Sequence, residues 1–189
     1  MNLREKRKLD HLRLATELGE DREEAGWEDI RFVNLSLPEV DRQEVSVGYD
    51  WWGKHLRLPL LINAMTGGSE ESLGVNAALA EVARETGVAM AVGSQHAALE
   101  DSRWTASYGV ARRRNPQGVL LANLSARATP EQARQACEMI EADGLQLHLN
   151  VAQELAMPEG DRNFAGLLEN IAQVVASVPV PVVVKEVGF

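Results

Sequence analysis

The feature that most constrains the fold is a short apolar run of strand length that recurs five times between residues 58 and 186. Successive runs begin about 26 to 37 residues apart, the spacing of units in which a strand, a helix and a second strand follow one another. The runs read LPLLIN (58–63), VAMAVG (88–93), GVLLAN (118–123), GLQLHL (144–149) and PVVVKE (181–186). We therefore predict five parallel strands covered by the helices that connect them.

The segments between the runs carry helix signals. Ser72–Thr86 has apolar side chains at helical spacing, and Gly87 follows it as a suitable left-handed cap. Pro130–Asp143 has Thr129 as an N-cap and proline at its first position, and we expect this helix to end at Gly144. These signals support the alternation of strands and helices.

The pattern divides the chain into two parts. Residues 1–57 lack a regular period and are interpreted as an N-terminal arm and a loop-rich lead-in, with Trp27, Trp51 and Trp52 as packing anchors. Residues 58–189 contain the five apolar runs and would form the regular α/β part of the molecule.

Two α/β architectures have this alternation of strands and helices, the open doubly wound sheet and the (β/α)8 TIM barrel. Each run ends in small or polar residues, whereas the opposite ends begin with Gly or Pro and carry no comparable chemistry. The carboxyl ends of all strands converge on one mouth in a barrel, but an open sheet concentrates its ligand groups at a single switch point. A contribution from every run favours the barrel, of which this chain would hold about five of the eight βα units.

The stretch richest in chemical groups is Leu145–Asp161. Apolar and polar residues alternate at its start, which predicts a strand. His148 and Asn150 lie at the end of that strand, and Gln153 and Glu154 follow. An imidazole, two amides and a carboxylate in one place can bind a ligand, hold a metal ion or move a proton. The alternative is a polar loop after a buried strand.

Composition and charge exclude several classes of protein. The formal net charge of −9 argues against a nucleic-acid binder, which needs an excess of Lys and Arg. The single cysteine, Cys137, cannot form a disulfide within the chain, and a reducing cytoplasm is the expected compartment. We find neither a signal peptide nor an apolar run of the roughly 18 residues that a membrane anchor needs.

Two basic regions are candidates for anion binding. Arg7 and Lys8 lie in a basic island at the start of an acidic chain and could clamp a phosphate ester, although a solvated helix start is the alternative. Lys185 follows three valines in a run that is apolar on both faces, so its ammonium group is desolvated unless an anion meets it. That anion could be a ligand, or it could be Glu154 or Glu186.

Two further features have a weaker signal. The small residues of Ala64–Gly68 would let backbone N–H groups approach a ring or a phosphate closely, but their spacing matches neither a dinucleotide fingerprint nor a P-loop. Near Glu154 the only other carboxylates are those of Glu159 and Asp161. A protein-only metal cage is therefore not expected, and one carboxylate that holds Mg²⁺ together with a substrate phosphate is the commoner arrangement.

Six motifs, taken together, resemble one known family. They are R-K-x-D-H (7–11), INAMTGG (62–68), GSQ (93–95), NLSA (123–126), QLHLN-x-x-QE-x-x-MPEGDR (146–162) and VVKEVGF (183–189). In this order they resemble the type 2 isopentenyl-diphosphate isomerases, which are FMN-dependent (β/α) barrel enzymes. The resemblance covers nearly the whole chain.

The resemblance implies interconversion of isopentenyl and dimethylallyl diphosphate, a net 1,3-proton shift that requires reduced FMN, Mg²⁺ and NADPH as the reductant. Gln153 and His148 would be catalytic, and Glu154 would ligate Mg²⁺. The FMN would be lined by Ala64, Met65, Thr66, Ser94, Asn123 and Lys185. The substrate would be bound by Arg7, Lys8, Ser94, Gln95, His96 and Gln153. The full-length enzyme would be a homo-oligomer, a tetramer or an octamer.

Two departures from the family qualify these expectations. His96 stands where the family pattern has arginine, which would weaken a phosphate contact or make it pH-dependent. The sequence also stops directly after the fifth apolar run, whereas the family continues through three more strands. We therefore expect an N-terminal portion that is inactive, or nearly so, on its own. The alternatives are another FMN-dependent barrel of the hydroxy-acid oxidase type and a non-catalytic open-sheet module.

Overall fold

The structure, a computed structural model, describes residues 10, 12–18, 26–158 and 160–187. The chain forms two compact units, Met1–Val47 and Gly48–Phe189. The second unit begins with the hairpin of β1 (Tyr49–Trp51) and β2 (Lys54–Leu56), whereas the sequence pattern placed the division after residue 57.

The described part of the first unit has little regular structure. Residues 12–17 are helical, and two short 3-10 helices cover Trp27–Asp29 and Arg42–Glu44. The Asp41 carboxylate caps the second of these by accepting a hydrogen bond from the backbone N–H of Gln43 at 2.8 Å. Trp27 is exposed and is not the packing anchor that the sequence suggested.

Five parallel strands form the centre of the second unit, as predicted. They are β3 (Leu61–Ile62), β4 (Ala89–Ala91), β5 (Leu120–Ser125), β6 (Gly144–Leu149) and β7 (Val182–Glu186). Each strand pairs with the next one in the chain. The order contains no reversal and so lacks the switch point of a doubly wound sheet, which argues against the open-sheet alternative.

Helices connect these strands. They are α1 (Glu70–Thr86), α2 (His96–Glu100), α3 (Thr105–Arg114), α4 (Pro130–Met139), α5 (Val151–Ala156) and α6 (Leu167–Ser177), with a 3-10 turn at Ser102–Trp104 before α3. The predicted cap at Gly87 is confirmed, because this residue ends α1 with a φ of 73°. The predicted N-cap at Thr129 is also confirmed, since its hydroxyl accepts a hydrogen bond from the N–H of Gln132.

The predicted end of α4 at Gly144 is wrong. Glu141 takes the left-handed conformation with a φ of 48°, and the N–H of Ala142 bonds back to the carbonyl of Cys137 at 2.9 Å, which closes the helix early. Gly144 has a different function in the fold. A Cβ atom there would lie 2.3 Å from Cζ3 of Trp52, so the absent side chain makes room for the indole ring.

The sheet is strongly curved. Asn63 directly follows β3, and Gln146 lies on β6, with β4 and β5 between them. In a flat sheet three strand spacings would separate these positions by roughly 14 Å. The side chains nevertheless meet, because Nε2 of Gln146 donates to Oδ1 of Asn63 at 3.1 Å. The concave face therefore encloses a common space, as in a partial barrel.

The two faces of the sheet are packed differently. Helices cover the convex face, where the core includes Met90, Leu120 and Leu147. On the concave face a smaller cluster joins Ala91 and Leu121 to Leu56, Trp51 and Trp52 of the hairpin. The expectation that Trp51 and Trp52 act as packing anchors is confirmed by this cluster. The hairpin thus covers part of the concave face, and each face of the sheet has its own apolar cluster.

Candidate active site at the carboxyl ends of the strands

Strand register places a set of polar side chains on the concave face. Asn123 pairs with Gln146, and one step further along the strands Ser125 pairs with His148, which in turn pairs with Lys185. Because side chains alternate between the two faces of a strand, all of these side chains lie on the same face of the sheet. Asn123 and Gln146 form one layer, and Ser125, His148 and Lys185 form the next. The predicted site residues Asn123, His148 and Lys185 are therefore neighbours on three adjacent strands.

Amide side chains connect these layers in one hydrogen-bonded network. Nε2 of Gln146 donates to Oδ1 of Asn63, and Nδ2 of Asn123 donates to Oε1 of Gln146 at 3.1 Å. Oδ1 of Asn123 lies 3.0 Å from Nδ1 of His148. Asn123 and Gln146 are both buried, so these bonds satisfy groups that would otherwise be costly to remove from water.

His148 is neutral at neutral pH. Burial lowers the pKa of its imidazole, and the Lys185 ammonium group lowers it further, to about 4, although Glu154 and Glu186 act in the opposite direction. His96 contributes a smaller lowering effect. An uncharged imidazole can accept a hydrogen bond or, as a weak base, a proton.

Lys185 is the cation nearest to this imidazole in the sheet register. Burial lowers the pKa of its ammonium group, and the adjacent Glu186 partly opposes this effect. Within the described part of the chain, no carboxylate oxygen forms an ion pair with the Lys185 ammonium group. The sequence offered Glu186 or Glu154 as its partner, and the structure gives it only the longer-range attraction of Glu186. Lys185 therefore remains able to meet an anionic ligand.

The loop after β3 is held close to β4. The carbonyl of Thr66 accepts hydrogen bonds from the N–H of Gly93 at 2.8 Å and from Nδ2 of Asn76 at 3.2 Å. A Cβ atom on Gly93 would lie 2.5 Å from that carbonyl, so this approach requires glycine. The Thr66 side chain is buried, and its Oγ1 has no hydrogen-bond partner among the described residues. Met65, by contrast, is exposed at the rim.

Gln95 supports the site but does not face it. Its side chain is completely buried, with Nε2 donating to the carbonyl of Ala136 at 2.9 Å and contacting Sδ of Met139 at 3.4 Å. Its Oε1 accepts from the N–H of Asn123 at 3.0 Å. Direct substrate binding by this side chain, as expected from the resemblance, does not fit the structure because both donor hydrogens are used within the protein.

The neighbours of Gln95 lie nearer the surface. Ser94 is partly buried, and its carbonyl accepts a hydrogen bond from the Tyr108 hydroxyl at 2.7 Å. His96 begins α2 and places Nε2 3.2 Å from Oε1 of Glu100. The predicted phosphate contact through His96 would therefore compete with this carboxylate.

Glu154 fixes the loop that follows α5. Its Oε1 accepts from Nδ2 of Asn150 at 2.6 Å, and its Oε2 accepts from the N–H of Asp161 at 2.9 Å. Arg162 adds to this closure by donating to the carbonyls of Met157 and Glu154. Each carboxylate oxygen keeps a further lone pair, so Glu154 can still act as one ligand of a metal ion.

The remaining predicted residues lie at the edge of this arrangement or outside it. Gln153 is half-buried on α5, next to Glu154 in sequence, and so points in a different direction from it around the helix axis. Ala64 contributes its N–H to Oδ1 of Asn63 at 2.8 Å. Arg7 and Lys8, predicted to bind the diphosphate, fall outside the described residues.

Among the described residues, no group of three or more His, Cys, Asp or Glu side chains could enclose a metal ion. None of the helices in the described ranges combines the length and the apolar character that crossing a bilayer requires.

Sequence reasoning missed the connecting residues. Asn63 and Gln146 lie inside the motifs that carry the resemblance, but the sequence predicts no contact between them because they are far apart in the chain. The one available signal was the polar residue inside an apolar strand, since a buried glutamine must find hydrogen-bond partners. Arg162 also lies in one of these motifs, but no sequence pattern predicts that its side chain bonds to the carbonyls of the loop.

Comparison with known proteins shows strong similarity over the whole chain. No protein-family model matches it. Isopentenyl-diphosphate delta-isomerase from Symbiobacterium thermophilum is 54% identical and covers 100% of this chain, with 54% of the relative covered. The enzymes of the same name from Moorella thermoacetica and Bacillus mycoides are 51% and 50% identical over 98% and 99% of the chain. The chain spans about half the length of the curated relatives it matches.

Solved structures give an independent view of the fold. A mandelate oxidase variant with a monooxide FMN adduct aligns with 79% of this chain at a TM-score of 0.50 and 18% identity. A second mandelate oxidase variant, with 2-hydroxy-phenylacetamide, gives a TM-score of 0.51 at 17% identity. In both cases 46% of the mandelate oxidase chain is covered. The similarity supports a barrel-type winding of the five strands.

Proposed function

The chain is a relative of the isopentenyl-diphosphate delta-isomerases, and on this premise we propose that it supplies part of a (β/α)8 barrel that interconverts isopentenyl and dimethylallyl diphosphate. The observation that carries the proposal is the identity of 50–54% along the whole chain. The convergence of Asn123, His148 and Lys185 at the carboxyl ends of neighbouring strands supports it, because barrel enzymes build their sites there.

The chemistry of the available groups fits FMN. A flavin ring has acceptor oxygens, ring nitrogens and a flat face, so it needs mixed donors at its edge and small residues against its plane. The Asn123 amide and the Lys185 ammonium group supply donors, and the buried Thr66 hydroxyl has no partner among the described residues. Ala64, Met65 and Ser94 would complete the lining. When bound, reduced FMN would supply the proton relay that an unactivated alkene requires.

A diphosphate and Mg²⁺ also fit, with Glu154 as one ligand. Mg²⁺ is usually held by one or two carboxylates together with phosphate oxygens and water, so a single Glu154 side chain suffices. We assign the cationic clamp on the diphosphate to Arg7 and Lys8, assisted by Ser94 and His96. Gln153 would contact the isoprenoid end of the substrate.

The residues of the chain itself have distinct tasks in this proposal. The ammonium group of Lys185 would stabilise negative charge that develops beside it, in a site from which water is partly excluded. The uncharged imidazole of His148 would accept a proton or a hydrogen bond within the same site. Asn123 would hold both the imidazole and the cofactor edge through its amide. The proposal also includes NADPH as the reductant, a cytoplasmic location and a tetrameric or octameric assembly.

The experiment that tests this function uses two proteins, this chain and a version extended to the length of its relatives. Each is incubated with isopentenyl diphosphate, reduced FMN and Mg²⁺, and dimethylallyl diphosphate is measured. We expect activity in the extended protein and little or none in this chain. In the extended protein, Lys185→Met should lower turnover by about 10²-fold or more. Absence of activity from both proteins would overturn the assignment.

A second candidate is an FMN-dependent oxidase of the hydroxy-acid type. The observation in its favour is the fold similarity to mandelate oxidase, which at 17–18% identity concerns the fold alone. The two candidates are separated by supplying a 2-hydroxy acid and oxygen to the extended protein. Production of the 2-keto acid and hydrogen peroxide, without isomerisation of the diphosphate, would favour the oxidase.

A further inference from the structure

Three amide side chains connect a backbone N–H group to the imidazole of His148, and the direction of every hydrogen bond in this connection can be determined. The starting point is the N–H of Ala64, which lies 2.8 Å from the Asn63 side chain. A backbone N–H can only donate, so the atom of Asn63 that faces it is the oxygen Oδ1. The same Oδ1 is the atom that Gln146 meets at 3.1 Å.

The orientation of the Asn63 amide determines the orientations of the Gln146 and Asn123 amides. Because Oδ1 of Asn63 is an acceptor, Gln146 must present its amide nitrogen to it and its oxygen Oε1 to Asn123. Asn123 therefore donates from Nδ2 to Gln146 and turns its own oxygen towards His148, at 3.0 Å from Nδ1. An amide oxygen can only accept, so Nδ1 of His148 must carry the hydrogen.

We propose that Gln146 is a positioning residue which, with Asn63, fixes His148 in the tautomer that has hydrogen on Nδ1 and a free lone pair on Nε2. In an isolated histidine side chain the opposite tautomer, with hydrogen on Nε2, is favoured. Burial of Gln146 and Asn123, each 2% exposed, prevents water from offering alternative partners that would let either amide rotate. The network thus holds the less common form.

This tautomer decides what His148 can do. Its Nε2 accepts a hydrogen bond or a proton from a ligand N–H, a hydroxyl group or a bound water, and it does not donate to a phosphate oxygen. The identity of the ligand rests on the proposed function, but the tautomer follows from the chain alone. Arg7, Lys8 and Lys185 would then be the residues that meet anionic oxygens, whereas His148 would act as an acceptor.

The test measures the tautomer directly by the ¹⁵N chemical shifts of the histidine rings in this chain, labelled with ¹⁵N-histidine, at neutral pH. The signal of His148 is assigned by its loss in His148→Gln. We expect the unsubstituted chain to show hydrogen on Nδ1. Gln146→Met, which keeps the size but removes both hydrogen bonds, should convert His148 wholly or partly to the Nε2–H form.

Matched variants separate positioning from general damage. Asn63 is exposed, so Asn63→Ala removes the acceptor of the Gln146 amide without opening the core, and we expect it to lower the population of the Nδ1–H form. Asn63→Asp keeps an acceptor oxygen at this position, and we expect it to retain the Nδ1–H form. An Nε2–H form in the unsubstituted chain would overturn the proposal. So would an unchanged Nδ1–H form in both Gln146→Met and Asn63→Ala. None of these readouts depends on isomerase activity.

Discussion

Arg112 and Asp143 form an ion pair of 2.8 Å at the amino-terminal end of β6, opposite the end where the candidate site lies. The Asp143 carboxylate also meets the Lys54 ammonium group at 2.7 Å and accepts from the N–H of Leu120 at 2.9 Å. The Arg112 guanidinium group donates to several carbonyls, including that of Gly118. Charge-assisted bonds thus connect β2, β5 and the start of β6 at this end of the sheet. Polar groups at this end of a barrel contribute to stability rather than to catalysis.

The first prediction concerns this cluster. Asp143→Asn should lower the free energy of unfolding by about 2–4 kcal/mol, because it leaves the largely buried Arg112 without its anionic partner. The measurement is denaturant unfolding followed by circular dichroism. Glu81→Gln is the matched control, since it breaks an exposed pair with Arg84 and should cost less than about 1 kcal/mol. Equal costs for the two variants would contradict the role given to Asp143.

The second prediction is the pH dependence of the same contribution. Burial by itself would raise the pKa of Asp143, but hydrogen bonds from Lys54, from Leu120 and from Arg112 hold it below the usual value of 3.8. A carboxylate with a lowered folded pKa stabilises the protein above its unfolded pKa and loses this contribution as pH falls through the folded value. The stability difference between the unsubstituted chain and Asp143→Asn should therefore be constant above about pH 5 and shrink below pH 3.8.

Much of the fold follows from local sequence signals. The five strands were predictable because each lies within an apolar run, although β3 and β4 cover only two and three residues of theirs, and the cap at Gly87 was predictable from the glycine alone. The end of α4 was not, because Glu141 adopts a conformation that sequence assigns to glycine. Gly144 misled the prediction because its reason, the ring of Trp52, lies far away in the chain. The hairpin of β1 and β2 was too short to give a periodic signal.

In the candidate site, too, local sequence signals predict some features, whereas contacts with distant elements determine the others. Register along parallel strands predicts that Asn123, His148 and Lys185 share one edge, and they do. The direction of each side chain depends on partners from distant elements, which explains why Gln95 was expected at the substrate but is buried against α4. The bond between Asn63 and Gln146 depends on the curvature of the sheet, which no local pattern encodes.

The third prediction concerns the titration of His148. Its pKa is about 4 in the folded chain against 6.5 ordinarily, so between these values the unfolded chain binds a proton that the native chain does not. Stability should therefore fall by about 1–2 kcal/mol as the pH drops from 6.5 to 4, after allowance for the partial exposure of the ring. His148→Gln should remove this slope. An NMR titration midpoint near 6.5 for His148 would contradict the prediction.

The fourth prediction concerns Gly160 in the loop that Glu154 closes. A Cβ atom at this position would lie 1.9 Å from the carbonyl oxygen of Glu154, and the obstacle is backbone rather than a flexible side chain. Gly160→Ala should therefore open the loop and increase hydrogen exchange and proteolysis across residues 151–158. Gly166→Ala is the control, because no heavy atom lies within 4 Å of its added methyl group and only its positive φ is strained. Equal protection in both variants would show that the loop does not depend on the close approach.

The last prediction concerns Asn76, which fixes the loop after β3 from helix α1. Its Nδ2 donates to the carbonyls of Thr66 at 3.2 Å and Ser107 at 2.8 Å, and the side chain is almost fully buried. Asn76→Leu keeps the volume but removes both bonds, so we expect a loss of about 2–4 kcal/mol in the free energy of unfolding. Gly74→Ala in the same helix is the control, since its added methyl group meets no heavy atom within 4 Å and should stabilise the helix by about 0.5–1 kcal/mol. Denaturant unfolding measures both variants. A cost below about 1 kcal/mol for Asn76→Leu would mean that the Thr66 loop is held by other contacts.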